Sequence, residues 1–320
     1  MVGQNEVKYN LEMIECEFGG TLESMDLVRN LLDSAAEYLN KDDVKTVEDA
    51  YRFADKVHKG QTRISGEPFI HHPLQTAIYL TELRLDSTAL VAALLHDVIE
   101  DCGVGYEELS HLFGEEAALL VDGVTKLTRA QFTDNGHFIS EAAQPAIDLD
   151  KAESLRKMLM AMADDVRVVL IKLADRLHNI RTLKALPKSR RVAIAQETLD
   201  LYAPLAHRLG IWEIKWQLED LSFQHINPKA YREISRLLRG KRTEREEYIR
   251  RVIDLLQVQL DAAGIDAEVM GRPKHIYSVF KKIKKYALQN KEVQNINDLF
   301  ALRVVVNGVQ DCYKTLGIVH

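Results

Sequence analysis

Ala92-Ala93-Leu94-Leu95-His96-Asp97-Val98-Ile99-Glu100-Asp101 is an apolar run that ends in one imidazole and three carboxylates. A segment this apolar belongs in a core, and charge buried there without partners is strongly unfavourable. Such a segment suits a metal ion or a tight ion network. Read as one helix over 87–102, it sets His96 and Glu100 four residues apart on one face, with Asp97 and Asp101 one step round. An ordinary helix end with its acids in water has the same pattern, so the decision rests on other parts of the chain.

Two other stretches supply further donors. His71-His72-Pro73 follows the turn Gly66-Glu67-Pro68 and opens a periodic apolar stretch over 74–80. Val168-Val169-Leu170-Ile171-Lys172-Leu173-Ala174 is a second buried-looking run, and it ends in Asp175-Arg176-Leu177-His178-Asn179. Asp175 and Asn179 share a helical face. Singly, His72 or Asp175 reads as a hydrogen-bonded core residue. Beside His96-Asp97 they become a constellation of nitrogen and oxygen donors, suited to Mn²⁺, Fe²⁺, Zn²⁺ or Mg²⁺ rather than to a thiolate-preferring metal. A divalent ion in such a site lowers the pKa of water from ~15.7 toward ~7 and neutralises charge developing on a phosphate, while nearby carboxylates take the proton.

At 320 residues, 46% hydrophobic and 28% charged, the chain is expected to form two soluble domains. No uncharged apolar run approaches the ~20 residues of a membrane span. Residues 1–17 are polar and acidic, unlike a signal peptide, and Cys16, Cys102 and Cys312 are too scattered for a disulfide framework. A cytoplasmic location is expected. The net charge of −6 gives no bias toward nucleic acid or membrane, so neither is expected as a partner.

From residue 24 to about 223 the pattern is helix after helix, over 25–39, 47–58, 74–83, 87–102, 106–113, 115–127, 151–162, 165–184, 190–205 and 212–223. Residues 60–68, with two Gly and a Pro, read as a loop, and 131–149 as a long loop, about whose gating of any site the sequence is silent. After Pro228 the character changes. Thr243-Glu244-Arg245-Glu246 resembles a capping box opening a helix that runs to Gly264. The alternation over 265–270, a Lys-rich helix over 276–288 and a branched run over 299–306 then give strand, helix and strand, a mixed α/β domain. The chain reaches His320 before that sheet has enough strands to be finished, so a fragment of a longer protein is expected.

These motifs together resemble the RelA/SpoT homologues, bifunctional enzymes that hydrolyse and synthesise (p)ppGpp. The matching stretches begin with Gly60-Gln61, Ser65-Gly66-Glu67-Pro68-Phe69-Ile70-His71-His72-Pro73 and Leu95-His96-Asp97-Val98-Ile99-Glu100-Asp101. They continue through Lys172-Leu173-Ala174-Asp175-Arg176-Leu177-His178-Asn179-Ile180-Arg181-Thr182, Tyr202-Ala203-Pro204-Leu205-Ala206-His207-Arg208-Leu209-Gly210 and Gly271-Arg272-Pro273-Lys274-His275. The resemblance implies a mainly α HD-type hydrolase domain over 25–195 behind an N-terminal extension over 1–24. A linking helical region over 196–228 and a partial α/β nucleotidyltransferase-like synthetase domain over 229–320 would follow. It further implies that His72, His96, Asp97 and Asp175 bind Mn²⁺ and that Glu100 and Asp101 position and activate water. Arg63 and Ser65 would lie along the phosphates, and Lys172, Asn179 and Thr182 would line the nucleotide pocket. The chain departs from the family at Ile64, where a Lys is usual.

In the second domain the resemblance assigns Arg272, Lys274, Ser278, Lys281 and Lys282 to ATP phosphates and Asp298 to Mg²⁺. The partner glutamate would lie past His320, so the synthetase is expected to be inactive in this chain. The implied partners are ppGpp, pppGpp, GDP and GTP, with ATP for the full-length parent.

Overall fold

The computed structural model describes residues 22–129, 156, 160, 164–239, 242–288 and 300–320. The expected loop over 131–149, Asp298 and, apart from Arg156 and Met160, the helix over 151–162 lie outside the described residues. The chain separates into two compact units, Met1–Arg191 with Asp200–Ile214, and Val192–Leu199 with Lys215–His320.

The first unit is helical. In chain order it holds α1 (Leu22–Ala36), α2 (Lys41–Val57), α3 (His71–Thr81), α4 (Ser87–Leu95), α5 (Val98–Asp101), α6 (Tyr106–Phe113), α7 (Glu115–Arg129) and α8 (Val166–Thr182). Helix α4 is its centre. All seven residues from Ala89 to Leu95 are buried, and α2, α3, α7 and α8 pack around it. A helix apolar on every side can only be stable when enclosed. Its start is fixed by the Asp86 carboxylate, which accepts from the Ala89 amide at 2.8 Å. Helix α2 is instead amphipathic, burying Val44, Val47, Ala50, Tyr51 and Ala54 along one stripe. Helix α8 approaches α7 closely because position 123 is glycine. A Cβ there would lie 2.9 Å from Cγ2 of Val168.

Two expected helices differ from what is observed. The helix over 87–102 is interrupted at His96 and Asp97, so that α4 ends and the short α5 begins beyond them. Adjacent residues on an unbroken helix diverge by roughly 100°, and the break is what lets both side chains reach one place. The helix over 190–205 is likewise three pieces: α9 (Lys188–Glu197), a π-helical turn over Thr198–Tyr202 and α10 (Ala203–Arg208). Pro204 has no amide hydrogen and its ring crowds the carbonyl four residues earlier, which opens the regular ladder there.

The loop over 60–68 is a small hairpin rather than open chain. Thr62 bridges Pro68, the Phe69 amide donates to the Gln61 carbonyl at 3.1 Å, and Gly66 makes the turn with φ of 89°. It presents Arg63 at its edge.

The second unit contains α11 (Trp212–Ile226) from Lys215 onward, α12 (Pro228–Arg239), α13 (Arg242–Ala262), β1 (Ala267–Pro273), α14 (Ile276–Leu288), β2 (Phe300–Val306) and α15 (Val309–Val319). The two strands are antiparallel, in register from Ala267 opposite Val306 to Pro273 opposite Phe300. Phe223, Ile234 and Val279 make one core between α11, α12 and α14, and Leu256, Leu260 and Ile265 a second beside the sheet. Gly271 lets β1 pass α13, since a Cβ there would collide with the Ile249 side chain.

Candidate metal centre and its relatives

Three elements of the first unit bring donors to one point. His72 enters from the first turn of α3, His96 and Asp97 from the break after α4, and Asp175 from the middle of α8. Nε2 of His72 lies 3.2 Å from Nε2 of His96, 3.3 Å from Oδ1 of Asp175 and 3.4 Å from Oδ2 of Asp97. Nε2 of His96 is 3.2 Å from Oδ1 of Asp97. The donor atoms of His72, His96 and Asp175 all lie within 4.8 Å of one another, and all three residues are buried. For bonds of about 2.1 Å, ligands of one ion stand about 3.0 Å apart in an octahedron and about 3.4 Å apart in a tetrahedron. The three separations from Nε2 of His72 and the one between His96 and Asp97 fall in that range, so the residues fit a single divalent ion.

Hydrogen bonds around the cluster fix its orientation. Nδ1 of His96 donates to the Ala93 carbonyl at 2.8 Å, which leaves Nε2 to face inward. Asp175 is held at both oxygens. Nζ of Lys172 donates to Oδ2 at 2.7 Å, and Nδ2 of Asn179 donates to Oδ1 at 2.5 Å. Lys172 also donates to Oγ1 of Thr128 at 3.0 Å. His71, by contrast, faces away to Ser24, with Oγ of Ser24 2.7 Å from its Nε2.

Charge balance follows from these contacts. Burial pushes Asp175 up, but the Lys172 ammonium and then His72 hold it well below the usual carboxylate range. Burial also opposes ionisation of Asp97, and His96 and His72 outweigh it, so this carboxyl is depressed too. His72 loses basicity through burial yet is raised on balance by its bonds to Asp175 and Asp97. His96 is lowered, chiefly by burial. His178 falls to about 3 through burial, then through His72 and Arg63. Two carboxylates and two inward nitrogens, with His72, His96 and Asp175 buried, make a donor set suited to a divalent cation.

The other expected site residues of the first unit are placed as follows. Glu100 and Asp101 are exposed on α5, immediately past the break, and Asp101 is pushed up by partial desolvation of its carboxyl and then by Asp97. Arg63 is half-buried against α8, donating from Nη1 toward Nδ1 of His178 at 3.3 Å and from Nη2 to Oδ1 of Asn179 at 2.7 Å. Ser65 is exposed and donates to Glu67 at 3.0 Å, while Oγ1 of Thr182 donates to the His178 and Asn179 carbonyls. Ile64 is 75% exposed beside Arg63. Lys172 is buried and engaged with Asp175, so it is a partner of a candidate ligand. His178 and Thr128 were not singled out by the sequence reading. The signal for His178 was its i+3 spacing from Asp175.

In the second unit, Lys274 and Ser278 are half-buried around the start of α14, and Lys281 pairs with Glu219 at 2.9 Å and stands 4.7 Å over the Tyr277 ring. Lys282 lies 5.6 Å over the Tyr286 ring. Arg272 is in β1.

Two family profiles match this chain. The HD domain profile covers residues 50–212, and the profile described as a region found in RelA / SpoT proteins covers residues 271–320. The bifunctional (p)ppGpp synthase/hydrolase SpoT of Escherichia coli is 44% identical over 296 residues, 92% of this chain and 40% of that protein. A GTP pyrophosphokinase of Streptomyces coelicolor is 48% identical over 277 residues, 87% of this chain and 31% of that protein. A solved structure described as a metazoan ortholog of SpoT overlaps at a TM-score of 0.40 and 24% identity, over 57% of this chain and 96% of that one. The chain thus spans less than half the length of these curated relatives. With an HD domain followed by the RelA/SpoT region, it belongs to the family of HD-domain RelA/SpoT homologues.

Proposed function

We propose that the first unit hydrolyses the 3′-pyrophosphate of (p)ppGpp to GDP or GTP and pyrophosphate, in a cytoplasmic setting and without nucleic acid as a partner. The observation that carries this reading is the convergence of the His72, His96, Asp97 and Asp175 donors at 3.2–3.4 Å. Those four residues would hold Mn²⁺, which when bound supplies Lewis-acid polarisation of the phosphate and of the attacking water. The chain's own residues do the rest. Glu100 and Asp101, exposed at the mouth, orient the water and accept its proton. Arg63 uses two of its five N–H donors on α8 and has others for the pyrophosphate. Ser65 and Thr182 contact the phosphates and the nucleotide. The names of the relatives, which include guanosine-3′,5′-bis(diphosphate) 3′-pyrophosphohydrolase, support the substrate.

The test is ppGpp turnover followed by anion-exchange chromatography, with Mn²⁺ and with EDTA. Release of GDP and pyrophosphate only with the metal is the expected result. Tight ppGpp binding without turnover in Mn²⁺ would instead make this a nucleotide-sensing HD domain, with Ile64 as the residue to blame.

A second reading belongs to the longer protein. Relatives named GTP pyrophosphokinase and the match over 271–320 favour an ATP:GTP 3′-pyrophosphotransferase built on Arg272, Lys274, Ser278, Lys281, Lys282 and a Mg²⁺ at Asp298. AMP appearing from ATP plus GDP is its signature.

A further inference from the structure

A histidine ligates metal through a bare ring nitrogen, so the other nitrogen must carry the proton. For His96 the backbone ensures this, because the Ala93 carbonyl can only accept. His72 has a more ambiguous neighbour. Its Nδ1 lies 2.7 Å from Nδ1 of His178, and two like ring nitrogens do not by themselves say which one donates.

Arg63 removes the ambiguity. A guanidinium has N–H donors and no acceptor. Its Nη1 is 3.3 Å from the same Nδ1 of His178, while Nη2 is anchored 2.7 Å away on Oδ1 of the next residue, Asn179. A proton on Nδ1 of His178 would set N–H against N–H on the Arg63 side. The lone pair of His178 Nδ1 therefore faces both neighbours, and the hydrogen in the shorter contact belongs to His72. The Asn179 amide is fixed in the same way, with its oxygen toward Arg63 and its nitrogen donating to Asp175.

We infer that His178 is a positioning residue, an acceptor that fixes His72 as its Nδ1–H tautomer and turns the bare Nε2 toward the metal site. Arg63, from the hairpin, sets His178 in turn. This gives Arg63 a task beyond phosphate contact, and it assigns the imidazole between Asp175 and Asn179 a purpose that burial alone would not. The inference rests on His72 being a ligand, as in the proposed function.

The test uses the full chain stripped of metal. Mn²⁺ is titrated in and the free ion is followed by its EPR signal. In parallel, ¹⁵N-histidine-labelled chain loaded with diamagnetic Zn²⁺ is examined by long-range ¹H–¹⁵N NMR. We expect His178 to be protonated on Nε2 and His72 on Nδ1. His178→Leu should weaken Mn²⁺ binding by about 10- to 100-fold, as loss of a partner behind a metal ligand does. His178→Asn, whose Oδ1 can take the place of Nδ1, should recover most of that loss.

A folded His178→Leu chain with parental Mn²⁺ affinity would overturn the inference, as would a proton found on Nδ1 of His178. The NMR reading is made on the parent chain and stands even where the Leu variant does not fold. Failure of the parent to bind Mn²⁺ would overturn the metal reading, and this inference with it.

Discussion

Lys172 is a case where a side chain's partner reassigns it. By motif it belongs to a nucleotide pocket, but its ammonium is buried on Asp175, 2.7 Å from Oδ2. Burial works against the charge on Lys172, and the neighbouring carboxylate more than offsets that and holds the ammonium well above its ordinary range. Removing one partner of a buried pair typically costs about 3 kcal/mol or more, because the other charge is left uncompensated. A divalent ion at the cluster would supply part of that compensation. Lys172→Met is therefore expected to lose about 3 kcal/mol in urea melts in EDTA, and clearly less in Mn²⁺. Equal losses in both would mean that Asp175 does not face the ion. Asp101→Asn makes the opposite separation. It keeps the shape of an exposed residue on α5 and removes only the base. Turnover of ppGpp should fall by about 100-fold or more while Mn²⁺ affinity stays at the parental value. A comparable loss of metal affinity would make Asp101 a ligand instead.

At the scale of elements, the close approach of α7 and α8 is what places Asp175 at the centre, and Gly123 is the residue that permits it. Alanine there would gain about 1 kcal/mol of helix propensity, but its Cβ would stand 2.9 Å from Cγ2 of Val168, which is buried and β-branched and has no room to turn away. Overpacking of this kind costs about 1–3 kcal/mol. Gly123→Ala should be destabilising in thermal melts. The double variant with Val168→Ala should be more stable than the two single losses predict, by about 1 kcal/mol. Strict additivity would show that the helices are not held at this contact. Such contacts also mark where sequence reading stops. The apolar runs, the Gly- and Pro-bearing turn over 60–68 and the shared helical face of Asp175 and Asn179 are periodic or compositional, so they were legible in the sequence, although the turn's hairpin pairing was not. The break at His96-Asp97 was not, because its reason is the shared target of two adjacent side chains rather than any Gly or Pro. His178 and Thr128 were missed for a related reason. Their value lies in what faces them across space, from Arg63 and His72 in one case and from Lys172 in the other.

At the scale of the whole molecule, the two units should respond to different solution variables. Metal acts on the first. For the second the informative group is Asp220 on α11, whose carboxylate accepts from the Tyr277 amide at 2.8 Å and from the Ile276 amide at 3.2 Å, at the start of α14. Two effects oppose each other there. The helix start and its amides favour the anion. Burial disfavours it, and burial wins, pushing the carboxyl up to about 6, with Glu219 adding to the rise. A folded-state value above the ordinary 3.8 means that the folded chain keeps a proton which the unfolded chain has released. Stability from this group is then fully present below about pH 4 and is lost as pH rises through about 6. The span is at most about 3 kcal/mol, reduced by whatever water still reaches the carboxyl. Trp216 lies in the second unit and Trp212 in the first, so a Trp212→Phe chain gives a fluorescence signal from the second unit alone. Urea melts of that chain at pH 4.5 and 7 should be compared with the same chain carrying Asp220→Asn, which keeps one oxygen for the Tyr277 amide and loses the bond to the Ile276 amide, a loss that does not vary with pH. The difference between the two isolates Asp220 from every other titrating group. The Asn variant should gain on its parent as pH rises across this window. If it instead loses ground on its parent as pH rises, the helix start outweighs burial, and Asp220 is held as an anion that caps α14.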